Sequence, residues 1–379
     1  MRFLREGQTL NKVERIKQAR HPLEVRQAII DTYSKDLSAM DEVPGEVERL
    51  KWVGIYPQKQ GGDAFMMRIK IPGGVLTPEQ AEVIGQIAAD FARGPVPNPH
   101  FGNNFLDLTT RQDVQMHWLE MKNIPEIWRR LEDVGITTVQ ACGDSARNVL
   151  CCPVSGLGHD EVIDAFPVAQ AISAYFTGNR EYANLPRKFK ISVTGCLEDC
   201  AQAEINDVGM LPARLEDGTL GFNLRVGGGL SDGPRMASDV DVFVRPEDAV
   251  EITRGIAQVF GELGDRENRW TARMRYLVQE LGPEGFREEL AKRVSVDLTP
   301  AGEDLTKRYR GDHIGVHPQK EDGRSGEGNG VRNADGRWGG SRTAPMGTVT
   351  LYYVGLNVPV GRMSGAQFKE AGRLAGEYG

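Results

Sequence analysis

The sequence predicts a mixed α+β chain built by internal duplication. Three observations lead there. Segments with strand-like alternation are interspersed with segments of helical apolar periodicity. A seven-residue motif recurs, and two helix-start signatures stand at matching places in the two copies. Val53-Gly-Ile-Tyr-Pro-Gln-Lys59 reappears as Ile314-Gly-Val-His-Pro-Gln-Lys320, an offset of 261. Phe65-Met-Met-Arg-Ile-Lys-Ile-Pro-Gly-Gly74 is echoed by Tyr352-Tyr-Val-Gly-Leu-Asn-Val-Pro-Val-Gly361, an offset of 287. The 26-residue difference requires an insertion in the second copy. Residues 321–348, rich in Gly, Arg, Ser and Asn, have almost nothing to bury and are expected to be that insertion, a flexible surface loop.

The elements follow in order. Residues 10–50 read as helical and charged, a wrapping or docking extension. Residues 65–71 read as a strand that ends at Pro72-Gly-Gly74. Thr77-Pro-Glu-Gln80 is a capping box, with Pro at the first helical position and Gln three residues after the cap. Val83, Ile84, Ile87 and Phe91 then share one helix face. Ser364-Gly-Ala-Gln367 repeats the box, with Phe368, Ala371, Leu374 and Ala375 as the apolar face. The second-copy strand 351–358 and helix 367–377 are expected to pair with residues 65–71 and 80–93. Residues 105–116 read as one strand and 124–134 as a helix ending at Gly135. A helix within 159–178, strands at 188–194 and 221–226, and helices at 247–263, 271–281 and 285–294 complete the reading.

Composition narrows the function classes. The 379-residue length suggests two or three domains. No apolar run approaches a membrane span, and the first residues lack a signal-peptide core. A net charge of −7 argues against a dedicated nucleic-acid coat. Gly227-Gly-Gly229 is no G-x-G-x-x-G fingerprint, which argues against a built-in dinucleotide site.

Against that negative total, several cations share strand faces, because alternate strand side chains point the same way. Arg68 and Lys70 form one such pair, and Lys188 and Lys190 another. Arg111, Asp113, Gln115 and His117 form a third set, and Arg147 lies beside a cysteine-rich turn. Each set is either a solvated face or part of a pocket for an oxyanion or polyanion. The five cysteines are too few for a disulfide scaffold. Cys196 and Cys200, in a C-x3-C at a strand end, can present two thiolates to one metal or cluster, with Cys151 or Cys152 supplying a third. The alternative is a set of small buried thiols.

Six motifs occur in order: Met66-Met-Arg-Ile-Lys-Ile-Pro-Gly-Gly74, Thr109-Thr-Arg-Gln112, Ala146-Arg-Asn148 with Cys152-Pro-Val-Ser-Gly156, Leu185-Pro-Arg-Lys-Phe-Lys190, Gly221-Phe-Asn-Leu-Arg-Val-Gly-Gly-Gly229 and Gly315-Val-His-Pro-Gln-Lys320. Together they resemble the assimilatory ferredoxin-dependent nitrite and sulfite reductases, over nearly the whole chain. The resemblance implies ferredoxin-like half-domains plus a siroheme-binding α/β domain. It divides the chain into a helical extension (1–50), a first half-domain (51–135), a siroheme-binding domain (136–300) and a second half-domain (301–379). It implies siroheme bridged by a thiolate to a [4Fe–4S] cluster, six-electron reduction of the substrate and ferredoxin as electron donor; the chain itself is expected to be a cytoplasmic monomer without membrane or nucleic-acid partners.

By the same resemblance, Arg68, Arg147, Lys188 and Lys190 hold the substrate anion and supply protons. Lys70, Arg111, Gln115, Asn148 and Arg235 bind the cofactor. The family's cluster ligands follow a C-x5-C-P and Gly-Cys-x3-Cys pattern in the second copy, so they are expected beyond Gly379. The first copy offers Cys152, Cys196 and Cys200, with Ala146 at the fourth position. These three are read as marks of the duplication rather than a working cluster site. Nitrite is the favoured substrate, on the Gly315-Val-His-Pro-Gln-Lys320 motif and the N-terminal extension. Lys190 resembles sulfite reductases, which keeps sulfite as the alternative. A non-catalytic siroheme- or anion-binding remnant is the reading from another class.

Overall fold

The computed structural model describes residues 9–59, 62–158, 161–307, 313–320 and 351–378. The insertion expected at 321–348 lies outside them. The helices are α1 (Lys12–Ala19), α2 (Val25–Ala28), α3 (Glu46–Arg49), α4 (Pro78–Phe91), α5 (Ile124–Asp133), α6 (Phe166–Phe176), α7 (Ala249–Leu263), α8 (Met274–Ala291) and α9 (Gly365–Tyr378). The strands of the first half are β1 (Ile55–Pro57), β2 (Ala64–Ile69), β3 (Arg93–Asn98), β4 (Gly102–Leu108), β5 (Val114–Glu120), β6 (Ala146–Cys151) and β7 (Phe189–Val193). Those that follow are β8 (Val208–Arg214), β9 (Leu220–Val226), β10 (Ser238–Val244), β11 (Glu303–Asp304), β12 (Gly315–Pro318), β13 (Tyr352–Gly355) and β14 (Arg362–Ser364).

The chain divides into two units, Met1–Pro22 with Cys142–His313, and Leu23–Ala141 with Ile314–Gly379. The stretch read as one N-terminal extension is therefore split. In α1, Glu14 and Lys17 are buried, and Lys17 donates to the Leu185 carbonyl at 2.8 Å. Arg266 closes on Glu14 at 2.6 Å. Further along, Val25, Ile29, Tyr33, Met40 and Leu50 enter the core of the other unit. These side chains are interior, so the segment does not wrap a finished surface.

The unit containing Leu23–Ala141 carries a sheet in the order β1-β2-β5-β4-β14, with β3 beside β4. Residues 105–116 are not one strand. They belong to the antiparallel hairpin β4–β5, because Thr109 starts a turn. Its Oγ1 accepts from the Arg111 and Asp113 amides, and Gln112 sits at φ 53°. Arg111 is thus a turn residue rather than a strand neighbour of Gln115.

The duplication is visible in register. Ile55 pairs with Met67 and Pro57 with Phe65. At the repeat offsets, Val316 pairs with Val354 and Pro318 with Tyr352. The expected pairing of the second-copy strand with residues 65–71 does not occur. It pairs with β12, as β2 pairs with β1, and β14 closes on β4 instead.

Both capping boxes form. Thr77 Oγ1 accepts from the Gln80 amide and Ser364 Oγ from the Gln367 amide, while each Gln side chain accepts from the cap residue's amide. The two helices pack together as expected, running antiparallel, but through glycine. A Cβ on Gly85 would stand 2.7 Å from the Gly365 carbonyl oxygen, and one on Gly372 2.8 Å from that of Pro78. The buried face of α9 is accordingly Gly365, Phe368 and Gly372, and Leu374 and Ala375 are exposed. The apolar stripe expected there is replaced by close backbone approach.

The other unit carries a second sheet, β10-β9-β8-β7-β6, with β11 beside β8. Strands β6, β7 and β8 are parallel and the other pairings antiparallel. Its core includes Phe176, Tyr182, Phe189 and Phe260, in ring contact along α6, β7 and α7. The two helices read at 271–281 and 285–294 join end to end in α8 at a break, where Gly282 (φ 69°) precedes Pro283.

Candidate functional site

Parallel pairing places two cysteine-bearing segments at one sheet edge. Cys151, the last residue of β6, is level with Val193, the last of β7. The chain beyond each strand then delivers Cys152 from one side and Cys196 and Cys200 from the other. The Cys200 and Cys152 sulfurs lie 2.9 Å apart, those of Cys196 and Cys200 3.3 Å, and all three within 4.8 Å of one another. Cys152 and Cys196 are buried and Cys200 is partly exposed.

The loop is held firmly. The Gly195 carbonyl accepts from the amides of Val162 and Ile163, and a Cβ on Gly195 would stand 1.8 Å from the Ile163 oxygen. Only glycine permits that approach. Thr194 Oγ1 donates to Asp199 at 2.6 Å, and Asp199 accepts from the Ala203 amide. Hydrogen bonds from Cys152 and Cys200 push the Cys196 thiol down, so the group favours a shared thiolate.

The structure brings the three thiols together, whereas the sequence reading set them aside as marks of the duplication. Ala146 does not belong with them. It begins β6, opposite Phe189, at the other end of the strand from Cys152. Six extended residues cover about 20 Å. Cys142 stands apart against Arg147 Nη1 at 3.3 Å.

In the same unit, cations outnumber their carboxylate partners. Lys188 and Lys190 flank Phe189, and Arg147 is on β6. Arg147 Nε and Nη2 donate to the Gly143 carbonyl at 3.1 and 2.9 Å, which fixes its fork. Burial, then the charges of Arg147, Arg273 and Arg187, push Lys188 down to about 8. Burial likewise lowers Arg187, whose buried Nε has no hydrogen-bond partner among the described residues.

Two carboxylates answer this charge. Asp207 takes Arg273 at 3.0 Å and the Lys190 amide at 2.9 Å. Asp144 takes Arg269 at 2.6 Å and Lys17 at 3.4 Å. Arg187, Arg273, Asp144 and Asp207 were not singled out from sequence. Arg187 lies within the quoted Leu185-Pro-Arg-Lys-Phe-Lys190 run, and the other three needed the tertiary fold. Asn148 is fully buried on β6. Arg235 is exposed on a loop, its backbone paired with Gly229.

In the other unit, Arg68 on β2 lies 3.8 Å from buried Asp113 and over the Tyr56 ring. Lys70 is buried, its backbone bridged to Thr137. Gln115 is half-buried on β5, level with Arg68.

The fold and these groups define a duplicated α+β protein with a partly buried cationic site and a clustered thiol site. The family description "Nitrite and sulphite reductase 4Fe-4S domain" matches residues 142–298, and "Nitrite/Sulfite reductase ferredoxin-like half domain" matches residues 56–134. The chain belongs to the nitrite and sulfite reductase family.

It is 42% identical over 349 residues to the assimilatory ferredoxin-dependent nitrite reductase of Haloferax mediterranei, covering 87% of this chain and 55% of that protein. It is 36% identical to the ferredoxin–nitrite reductase of Synechococcus elongatus, covering 98% of this chain and 66% of the relative. The same identity holds to a Mycobacterium tuberculosis sulfite reductase [ferredoxin], over 82% of this chain and 57% of the relative. The solved Mycobacterium tuberculosis NirA protein superposes with a TM-score of 0.82 at 31% identity, covering 98% of this chain and 64% of that one. The chain thus spans between about half and two thirds of the length of these proteins.

Proposed function

We propose that this chain is the siroheme-bearing part of a ferredoxin-dependent reductase that takes nitrite to ammonia with six electrons. The observation that carries the reading is the partly buried cation excess around Lys188. Arg147, Arg187, Lys188 and Arg273 crowd together with an unanswered guanidinium nitrogen among them. Such a group is stable when an anion neutralises it. Siroheme is a polycarboxylate and fits that chemistry, and its iron supplies the electronic chemistry when bound.

Lys188, Lys190 and Arg147 hold the oxyanion. Lys188, with its depressed pKa of about 8, is suited to passing protons to departing oxygens near neutral pH. Arg235 and Asn148 are assigned to the cofactor and its anionic substituents, for which guanidinium forks are well matched; the family resemblance gives Lys70, Arg111 and Gln115 the same role and gives Arg68 a role toward the oxyanion. A [4Fe–4S] cluster, which normally takes four thiolates, belongs to the whole enzyme. Ferredoxin as donor is supported by the names of the relatives. No helix among the described residues is long and apolar enough to cross a membrane.

Sulfite reduction to sulfide is the second reading, favoured by the Mycobacterium tuberculosis relative and by Lys190. The test is turnover of the siroheme-loaded enzyme with nitrite and with sulfite, using a chemical reductant. A higher kcat/KM for nitrite is expected. Lys190→Met is expected to slow turnover about 10²–10³-fold while leaving folding intact. Unchanged turnover of both anions in that variant overturns the assignment.

A further inference from the structure

We infer that Cys152, Cys196 and Cys200 form a binding site for a single thiophilic metal ion of the zinc type, separate from any cluster of the whole enzyme. Thiolates sharing one tetrahedral ion stand about 3.8 Å apart, because each metal–sulfur bond is about 2.3 Å, and they cannot exceed about 4.6 Å. The observed sulfurs, at 2.9 and 3.3 Å, reach that spacing by parting about 0.9 and 0.5 Å, and all three already lie within 4.8 Å of one another. In an iron–sulfur cluster each thiolate sits on its own iron, so the sulfurs must stand further apart. The nearby residue that motif spacing offers as a fourth ligand, Ala146, lies at the far end of β6.

The ligand set is preorganised. Parallel strands β6 and β7 end side by side, the Gly195 contact fixes the loop carrying Cys196, and the Thr194–Asp199–Ala203 hydrogen bonds fix the turn carrying Cys200. Soft thiolates select zinc-type ions over hard cations. Cys200, the partly exposed member of the three, opens the site outward. Cys200 lines a cavity of about 550 Å³ together with Glu198, Asp199, Gln202 and Lys307. A three-ligand ion with an open position beside a cavity takes water or a small anion as its fourth ligand. Binding displaces the thiol protons to solvent, so affinity rises with pH.

The test is anaerobic cobalt titration of the reduced chain. One equivalent is expected to give thiolate-to-cobalt charge-transfer absorption and tetrahedral visible bands, and zinc is expected to displace it. Cys196→Ser and Cys200→Ser abolish the signal, while Cys142→Ser and Cys151→Ser retain it. X-ray absorption of the cobalt-loaded unmutated chain, which needs no variant to fold, is expected to show three sulfur neighbours. Fewer than two sulfurs, or a signal that survives loss of both Cys196 and Cys200, overturns the site. Reconstitution with iron and sulfide that loads about four irons per chain, and is lost in Cys200→Ser, overturns the single-ion assignment.

Discussion

Arg362 holds Asp107 with two parallel hydrogen bonds, from Nε at 2.6 Å and Nη2 at 2.8 Å. Arg362 comes from the second copy of the repeat and Asp107 from β4 of the first. The guanidinium also lies 4.1 Å from the centre of the Phe105 ring. His117 approaches the same carboxylate at 3.2 Å. Burial would raise Asp107, but the hydrogen bonds from Arg362 and His117 win and hold it at about 2. A depressed carboxylate contributes stability above its unfolded value near 3.9, and that contribution is lost as pH falls toward about 2. Arg362→Met is therefore expected to flatten acid unfolding between pH 4 and 2 and to speed amide exchange in α9. Exchange and acid unfolding identical to the parent chain would show that the pair does not fasten the two copies.

The repeat also carries a strained copy of one turn. Gly73 (φ 61°) and Val360 (φ 51°) occupy the same place in Pro72–Gly74 and Pro359–Gly361. A β-branched residue in the left-handed region costs about 1–3 kcal/mol. Glycine relieves that strain and gives back roughly 0.5–1 kcal/mol in chain entropy. Val360 is 90% exposed, so no packing is lost on its removal. Val360→Gly is expected to stabilise the unit by about 1 kcal/mol, read from the urea midpoint. A lowered midpoint would contradict the strain.

How much of this was legible follows from what each signal depends on. The capping boxes, the repeat offsets and the two helices on either side of Gly282–Pro283 rest on local chemistry and were readable. The face of α9 was misread because its contact with α4 uses glycine, which carries no apolar signal. Strand β8 was missed because Gly209 and Pro212 look like turn residues. In the fold a Cβ on Gly209 would stand 2.4 Å from the Ala203 oxygen, and Pro212 gives its carbonyl to Leu305. The thiol group, and a shared metal as one reading of it, were named from sequence, but its convergence was not decided there. It depends on β6 and β7 being parallel neighbours, a fact of tertiary pairing.

Identical register does not produce identical burial. In the first copy Ile55, Phe65, Met67 and Ile69 are all at most 5% exposed. Their counterparts Val316, Tyr352, Val354 and Leu356 are 58% to 72% exposed. The difference lies in what covers each ribbon, since helices α4 and α5 and the segment around Val25 and Ile29 pack into the first copy's core. Met67→Thr is expected to cost about 3 kcal/mol, through a lost core side chain and a buried hydroxyl. Val354→Thr is expected to cost almost nothing and to reduce binding of a hydrophobic dye. Equal losses of stability in the two variants would show that the second ribbon is covered in solution.

Lys188 gives the sharpest pH signature. Its folded pKa of about 8 lies below the ordinary lysine value near 10.4, with burial the largest cause and Arg147, Arg273 and Arg187 next. Below pH 8 both folded and unfolded chains hold this proton, and the folded state carries the full cost of the crowded charge. Between pH 8 and about 10.4 the unfolded chain still holds a proton that the folded chain has released. Stability from this residue therefore rises with pH across that window. Lys188→Met removes the charge and is expected to be more stable than the parent at pH 7, with the advantage shrinking as pH approaches 10. Thermal unfolding of both proteins at stepped pH reads this directly. An anion held against Lys188 favours the protonated form and lifts its folded pKa. Saturating nitrite is thus expected to stabilise the parent below pH 8 and to flatten its rise above it, with no such effect in Lys188→Met. A parent chain whose stability profile is indifferent to nitrite, sulfite and this substitution alike would remove Lys188 from the anion site.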